Sequence, residues 1–127
     1  MSTFGNKKPA MTLEQRRSET AWRFAQEGVA LPQYKDLAKA APALIMNNGL
    51  MQTLAFYQDK NKPHHQALAS HLRRWALARN GGPDKDIGFK PFMEHLLEED
   101  SSGYRQATEE ALLFLRWIRQ FAAALGG

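Results

Sequence analysis

The chain has 127 residues, 17 Lys and Arg against 13 Asp and Glu, 43% hydrophobic residues and no Cys. This length and composition are typical of one globular domain that can bury a core, and the lack of Cys excludes disulfides, thiolate nucleophiles, iron–sulfur clusters and cysteine zinc sites. The net charge of +4 permits a polyanionic partner but does not identify one.

The beginning of the chain is predicted to be a flexible arm over residues 1–11, because Gly, Asn, Lys and Pro give it little to bury. It contains no apolar segment that could act as a secretory signal. The longest uncharged stretch, residues 40–58, includes Pro42 and several Asn and Gln residues and is too polar to span a bilayer. We therefore expect a cytoplasmic protein without a membrane segment, with a single helical domain over residues 12–127.

Two helices are predicted at the start of this domain. Thr12 and Gln15 have the spacing of a capping box, and Gly28 suits the end of the helix that the box begins. A second, shorter helix is expected between Pro32 and Ala41. Pro42 should limit it, because the residue before a proline is disfavoured in helical conformation, and should open the third helix.

The third predicted helix, Ala43–Asp59, has apolar residues almost all the way round and is expected to be the central, buried helix. Asn47, Asn48 and Gly49 interrupt it with poor helix formers, so a straight run, a kink and a break are all compatible with the sequence. The amides of Asn47, Asn48 and Gln52 are expected to satisfy buried backbone groups at an irregular turn.

Three more helices are predicted in the second half. The fourth spans Pro63–Arg79 and is closed by an Asn-Gly-Gly-Pro turn, after which a polar loop covers residues 84–90. The fifth is expected over Pro91–Glu99, and Ser101 or Ser102 is expected to cap a long sixth helix. The core stripe of that helix recurs every three or four positions and comprises Tyr104, Ala107, Ala111, Phe114, Ile118, Phe121 and Leu125. With no strand-like alternation in the chain, the fold class is predicted to be all-α, a compact bundle of about six helices with a long C-terminal helix.

Basic and acidic residues are unevenly distributed. Residues 60–90 carry seven Lys and Arg against two Asp, whereas residues 91–110 carry six acidic residues and one Arg. On the fourth helix Arg73 should lie opposite the apolar face and Arg74 on its flank, so both guanidinium groups are expected to reach solvent and a phosphate chain. The candidate phosphate-contacting residues are Arg73, Arg74, Lys60, Lys62, Arg16 and Arg17. The alternative is that these side chains only make the domain soluble.

The sixth helix has more apolar residues than its core stripe requires. Leu112 and Leu113 lie on either shoulder of its polar face, which makes them candidates for a contact with another subunit. A six-helix arrangement could instead bury both. Trp117 is expected at the margin of the core.

No catalytic or metal-binding pattern is found in the sequence. His64, His65, His71 and His95 lack the separation of four residues that brings two rings of one helix to one metal ion, and HExxH motifs, Gly-rich phosphate loops and Ser nucleophile elbows are absent. We expect surface histidines, no cofactor, no metal and no enzymatic activity. A histidine-based ribonuclease stays an alternative, because catalytic partners can be distant in sequence.

Two segments give a more specific signal: PALIMNNGLMQTLAFYQDK (Pro42–Lys60) and YRQATEEALLFLRWIRQFAAAL (Tyr104–Leu125). In the first, Asn-Gly-Leu is followed by Gln-Thr-Leu-Ala-Phe. In the second, Tyr-Arg is followed by Ala-Thr-Glu-Glu-Ala and then by a basic, Trp-containing helix. Both segments resemble the signature stretches of the small helical subunit of type III-B CRISPR (Cmr) effector complexes.

The resemblance implies a non-enzymatic subunit in antiviral defence, which stacks with copies of itself and with larger RAMP-fold subunits into a filament beside the guide RNA. The implied partners are the other Cmr subunits, the guide RNA and the target RNA, and no membrane. RNA would be held through its phosphates, while base pairing supplies sequence specificity. The opposite charges of residues 60–90 and 91–110 could pair across copies.

A second alternative is a helical, sequence-specific DNA-binding regulator that uses the fourth helix for recognition. It would bind duplex DNA as a dimer with a fixed half-site spacing. The absence of a clear helix-turn-helix pattern counts against this alternative.

Overall fold

The structure is a computed structural model that describes residues 10–126. Within that range the chain forms six α-helices and no strand. The helices are α1 (Leu13–Gly28), α2 (Tyr34–Asn48), α3 (Leu50–Lys60), α4 (Pro63–Ala78), α5 (Phe89–Leu97) and α6 (Ser101–Ala124). The all-α class, the number of helices and the long last helix are thus confirmed. The flexible arm predicted for residues 1–11 lies outside the described residues, apart from its last two.

The central helix is α6, which packs against α1, α2 and α4. The prediction that the third helix would be central is wrong, since α3 leaves Ala55 and Phe56 exposed. Because α6 lies at the centre, it is buried on more than one side. Its buried residues are Ala107, Glu110, Ala111, Phe114, Leu115, Ile118 and Ala122. Leu125, which was expected in the core stripe, is 38% exposed. The core therefore extends beyond the stripe that helical spacing indicated.

Two helix starts illustrate what local sequence can specify. The capping box of α1 is confirmed: the Gln15 backbone N–H donates to Thr12 Oγ1 at 3.1 Å, and the Thr12 N–H donates to Gln15 Oε1 at 2.8 Å. α6 is capped by Asp100, which accepts from the Gly103 N–H at 2.7 Å, and not by Ser101 or Ser102. A carboxylate caps a helix as well as a hydroxyl does, and Asp100 lies one residue earlier.

The second and third helices divide at Gly49 and not at Pro42. Gly49 has φ +90° and ψ 159°, a conformation that only glycine adopts readily, and it separates α2 from α3. Pro42 lies inside α2, where the missing backbone hydrogen bond is offset by the packing of Ala41 and Ile45 in the core. The break that the sequence left open is therefore real.

Tyr104 of α6 provides a hydrogen-bond acceptor for the start of α3, just after this break. Its Oη accepts a hydrogen bond from the Met51 N–H at 3.1 Å, in the first turn of α3. Asn47, Asn48 and Gln52 are exposed, so their predicted role in satisfying buried backbone is wrong. A tyrosine more than fifty residues away supplies the acceptor instead.

Candidate nucleic-acid interface

The loop after α4 turns back and pairs with two arginines that were predicted to reach a phosphate chain. Arg73 Nε and Nη2 donate to the two carboxylate oxygens of Asp86 at 2.7 and 2.8 Å. Arg74 Nε donates to Asp84 Oδ1 at 2.8 Å, and its guanidinium lies 4.3 Å from the ring centroid of Phe24. Arg73 is only 7% exposed, so the expectation that it reaches solvent is wrong.

The carboxylates of this loop are ionised partners. Burial acts to raise the pKa of Asp86, but hydrogen bonds from Arg73 and the Gly88 N–H outweigh it and lower that pKa to about 2. The pKa of Asp84 is lowered chiefly by the hydrogen bond from Arg74. The two aspartates of the loop therefore neutralise much of the positive charge that the sequence predicted along the side of α4.

A second ion pair lies inside the bundle and includes Arg17. Arg17 Nη2 donates to Glu110 Oε1 at 2.9 Å, and Trp75 Nε1 donates to Glu110 Oε2 at 2.9 Å, so the cluster joins α1, α4 and α6. Burial acts to raise the pKa of Glu110, but the donors from Arg17 and Trp75 outweigh it and the pKa is lowered. Arg16 is half-buried and donates to the backbone oxygen of Arg79 at 3.1 Å.

Lys60 and Lys62 are the exposed members of the predicted basic set. They lie at the corner between α3 and α4, on either side of Asn61, whose φ of 55° turns the chain. Within residues 10–126 neither lysine has a carboxylate within 4.0 Å. Lys60 Nζ lies 5.5 Å from the ring centroid of Phe56, which is itself 43% exposed. This corner is therefore positively charged and accessible.

The two leucines proposed as subunit contacts have different environments. Leu112 is half-buried and packs against the core, whereas Leu113 is 38% exposed. Leu113 lines an open cleft of about 310 Å³ with Arg116 and Trp117 of α6 and Glu14 of α1. Trp117 is half-buried, as predicted for the core margin. Leu113 is thus the more accessible of the two leucines.

The histidines of α4 are not surface residues. His64, His65 and His71 are 7%, 8% and 3% exposed, so that expectation is wrong. His71 Nε2 lies 3.1 Å from Glu27 Oε1 and its Nδ1 lies 2.7 Å from Tyr34 Oη. Since a carboxylate only accepts, Nε2 donates to Glu27 and Nδ1 accepts from the tyrosine. Burial lowers the pKa of His71 to about 4, against the opposing effect of Glu27.

No group of three or more His, Asp or Glu side chains in the described part of the chain is arranged to hold a metal ion. No helix between residues 10 and 126 is both long and apolar enough to cross a membrane.

Comparison with known proteins agrees with the two signature segments. The family model described as CRISPR-associated protein (Cas_Cmr5) matches residues 13–125. The chain belongs to the Cmr5 family. The CRISPR system Cmr subunit Cmr5 of Thermus thermophilus is 30% identical over 103 residues, which cover 81% of this chain and 83% of that relative. The crystal structure of a CRISPR-associated Cmr5 family protein from Thermus thermophilus has a TM-score of 0.74 and 27% identity, and the match covers 91% of this chain and 98% of the other.

In this Cmr5-family chain the two signature segments meet. Tyr104, the first residue of the second segment, accepts the hydrogen bond from Met51 in the first, and α2 packs against α6. Both segments therefore include residues that build the fold. The ion pairs of Arg73 and Arg17 were missed by the sequence analysis. The sequence did contain signals for both pairs. Asp84 and Asp86 are acids just beyond the end of α4, and Glu110 is the carboxylate that directly precedes Ala111 of the core stripe.

Proposed function

We propose that this Cmr5-family chain is a non-catalytic small subunit of a type III-B CRISPR effector complex. It stacks with copies of itself and with larger subunits, and it helps to hold guide and target RNA through backbone phosphates in antiviral defence. The observation that carries this proposal is the family match over residues 13–125, together with a relative that is itself named a Cmr subunit.

The phosphate contacts are assigned according to exposure. Lys60 and Lys62 are exposed and are the direct contacts. Arg16 and Arg74 are half-buried and contribute from the edge of the surface. Arg17 and Arg73 act through the fold, because their guanidinium groups are buried in ion pairs. Binding through such charges is independent of RNA sequence and sensitive to salt.

The test uses the assembled complex containing the Lys60→Gln/Lys62→Gln variant. Two lost phosphate contacts should flatten the slope of log affinity for target RNA against log salt by about 1.4, because each contact to a single strand contributes about 0.7. The matched control is Lys85→Gln/Lys90→Gln, which removes two exposed lysines beyond the other end of α4. An unchanged slope in the first variant would remove Lys60 and Lys62 from the proposal.

Stacking is assigned to the cleft that includes Leu113. Leu113→Glu should prevent incorporation of the subunit into the complex without lowering its melting temperature, because the side chain is 38% exposed and surrounded by Trp117 and Arg116. Leu97→Glu is the control, since Leu97 is 70% exposed on α5. Normal assembly with Leu113→Glu, measured by sedimentation, would contradict this assignment.

The absence of catalysis is tested with the purified chain and labelled single-stranded RNA. We expect intact RNA after prolonged incubation. His71 is bonded on both ring nitrogens and is 3% exposed, so it is poorly placed to act on a substrate. Cleavage that disappears on replacement of His64 and His71 would refute the non-catalytic role.

A further inference from the structure

The first turns of α2 and α4 border one cleft beside Lys60 and Lys62. A cavity of about 230 Å³ is lined by Leu31, Pro32, Gln33, Lys62, Pro63 and His64. A wider cavity of about 420 Å³ shares Gln33 and His64 and adds Asp36 and His65. Gln33 immediately precedes α2 and Lys62 immediately precedes α4, so the cleft is bounded by the starts of two long helices.

Neither of these helix starts is capped by a side chain. In contrast, α1 is capped by Thr12 and α6 by Asp100. The Tyr34 N–H donates to the Leu31 oxygen and Pro63 has no N–H, so the first-turn donors without a backbone partner are the N–H groups of residues 35 and 36 in α2 and 64 and 65 in α4. Such a start also carries a partial positive charge, which favours an anion. Two such starts border this one cleft.

His64 is the independent sign that a ligand belongs in the cleft. It is 7% exposed and lines both cavities. Within residues 10–126 neither of its ring nitrogens has a hydrogen-bond partner, and neither is sealed from solvent in the way that His65 Nδ1 is. Because His64 lines both cavities and no protein group bonds its ring nitrogens, the ring is available to hydrogen-bond a ligand in the cleft.

The charge around the cleft is mainly positive. The pKa of His65 is lowered first by burial and then by the charges of His64, Lys60 and Lys62, so these groups converge on one region. Asp36, in the first turn of α2, is the opposing charge and lines only the wider cavity. The narrower cavity has a lysine, a histidine and no acidic residue in its lining.

We propose that this cleft binds one phosphate of an RNA backbone. Its ligands are the N–H groups in the first turns of α2 and α4, the His64 ring and the Lys62 ammonium. A phosphodiester oxygen only accepts hydrogen bonds, so it matches a site that offers several free donors. That the cleft binds a phosphate follows from its geometry alone. That this phosphate belongs to RNA rests on the proposed function.

The first experiment titrates the full chain with inorganic phosphate and follows backbone amides by ¹⁵N–¹H NMR. Amides of residues 34–36 and 64–66 should shift, while those at the capped starts of α1 and α6 should not. His64→Phe keeps a flat ring without its nitrogens and should weaken phosphate binding about tenfold, the loss expected for one hydrogen bond to a charged group. His64→Gln, which keeps a donor, should restore part of the affinity.

Asp36→Asn provides a readout that a damaged fold cannot imitate. Removal of the opposing charge should strengthen phosphate binding by about twofold to fivefold, a modest surface electrostatic effect. Lys85→Gln, an exposed lysine outside the cleft, is the control and should leave binding unchanged. If the amides at the starts of α2 and α4 do not shift, or Asp36→Asn weakens binding, the anion site is refuted.

The second experiment identifies the carrier of the phosphate. A single-stranded RNA decamer should shift the same amides as inorganic phosphate, and a decamer with a neutral methylphosphonate backbone should not. If inorganic phosphate binds but the RNA decamer leaves these amides unmoved, the cleft is not an RNA site and the inference fails. If instead the complex with Lys60→Gln/Lys62→Gln keeps the wild-type salt slope while the isolated chain still binds phosphate and RNA in the cleft, the phosphate contacts of the proposed function are contradicted and the cleft is not.

Discussion

Glu110 is the residue whose replacement tests the packing of the bundle most directly. It is 7% exposed and accepts hydrogen bonds from Arg17 and Trp75, so Glu110→Ala leaves a buried guanidinium and a buried indole N–H without an acceptor. Removal of one partner of a buried ion pair costs about 3–5 kcal/mol. The Arg17 side chain keeps 11% exposure, so water can reach it and we expect the lower end, about 3 kcal/mol.

The assay is urea unfolding followed by helical circular dichroism, with thermal unfolding in parallel. A loss of about 3 kcal/mol should lower the melting temperature by roughly 10 °C for a domain of this size. Glu109→Ala, the exposed neighbour on α6, should change the free energy of unfolding by less than about 0.5 kcal/mol. The double variant Arg17→Met/Glu110→Leu should recover most of the loss, because no unpaired charge is left buried.

Two results would refute this reasoning. One is a Glu110→Ala protein within about 1 kcal/mol of the wild type, a loss smaller than removal of a buried partner causes. The other is a double variant that is no more stable than Glu110→Ala alone. Either would mean that the guanidinium of Arg17 finds water or another acceptor when Glu110 is absent.

Three further predictions concern pH and packing. Because burial lowers the pKa of His71 to about 4, the unfolded chain binds its proton first, and stability should fall as pH drops from about 6.5 to 4. His71→Phe should remove that part of the pH dependence measured by urea unfolding. The pKa of Asp86 is lowered to about 2, so its ion pair with Arg73 contributes at most about 2 kcal/mol, present above pH 4 and lost between about pH 4 and 2. Asp86→Asn should flatten the acid limb of the same profile, and a limb of unchanged steepness would contradict this. Gly28→Ala places a Cβ 2.3 Å from the Tyr34 ring and should cost about 1–3 kcal/mol by overpacking. Gly103→Ala meets the flexible end of Glu99 and comes within 3.3 Å of Asp100 Oδ1, the cap of α6, so the gain in helix propensity is offset and the change should be close to neutral; equal effects at the two glycines would contradict the packing argument.

Local signals predicted much of the helical framework. The capping box at Thr12, the proline at Pro63 and the turn after α4 act within a few residues, so their effects can be read from the sequence. The division of the second and third helices could not be predicted from Pro42, although proline is the stronger local breaker. Packing of α2 against α6 holds the helix through Pro42, and Gly49 alone has the backbone freedom for the break.

The candidate site was only partly predictable, because burial of a charge depends on where its partner folds. Arg73 and Asp86 are 13 residues apart and Arg17 and Glu110 are 93 apart. A helical wheel shows which face an arginine is on but not what covers that face. Lys60 and Lys62, candidates from the same set, are exposed, because a short turn between two helices leaves little chain to cover them.

The same pairing changes where the charge of residues 60–90 acts. Asp84 and Asp86 are the only acids in that segment, and both pair with arginines on the side of α4. The remaining positive charge of the segment is therefore carried by lysines near the two ends of α4, with Lys60 and Lys62 at its start. The partial positive charge of the helix dipole is also located at that start. We therefore expect a polyanion to be attracted more strongly to the N-terminal end of α4 than to its side, where the two arginines are already paired.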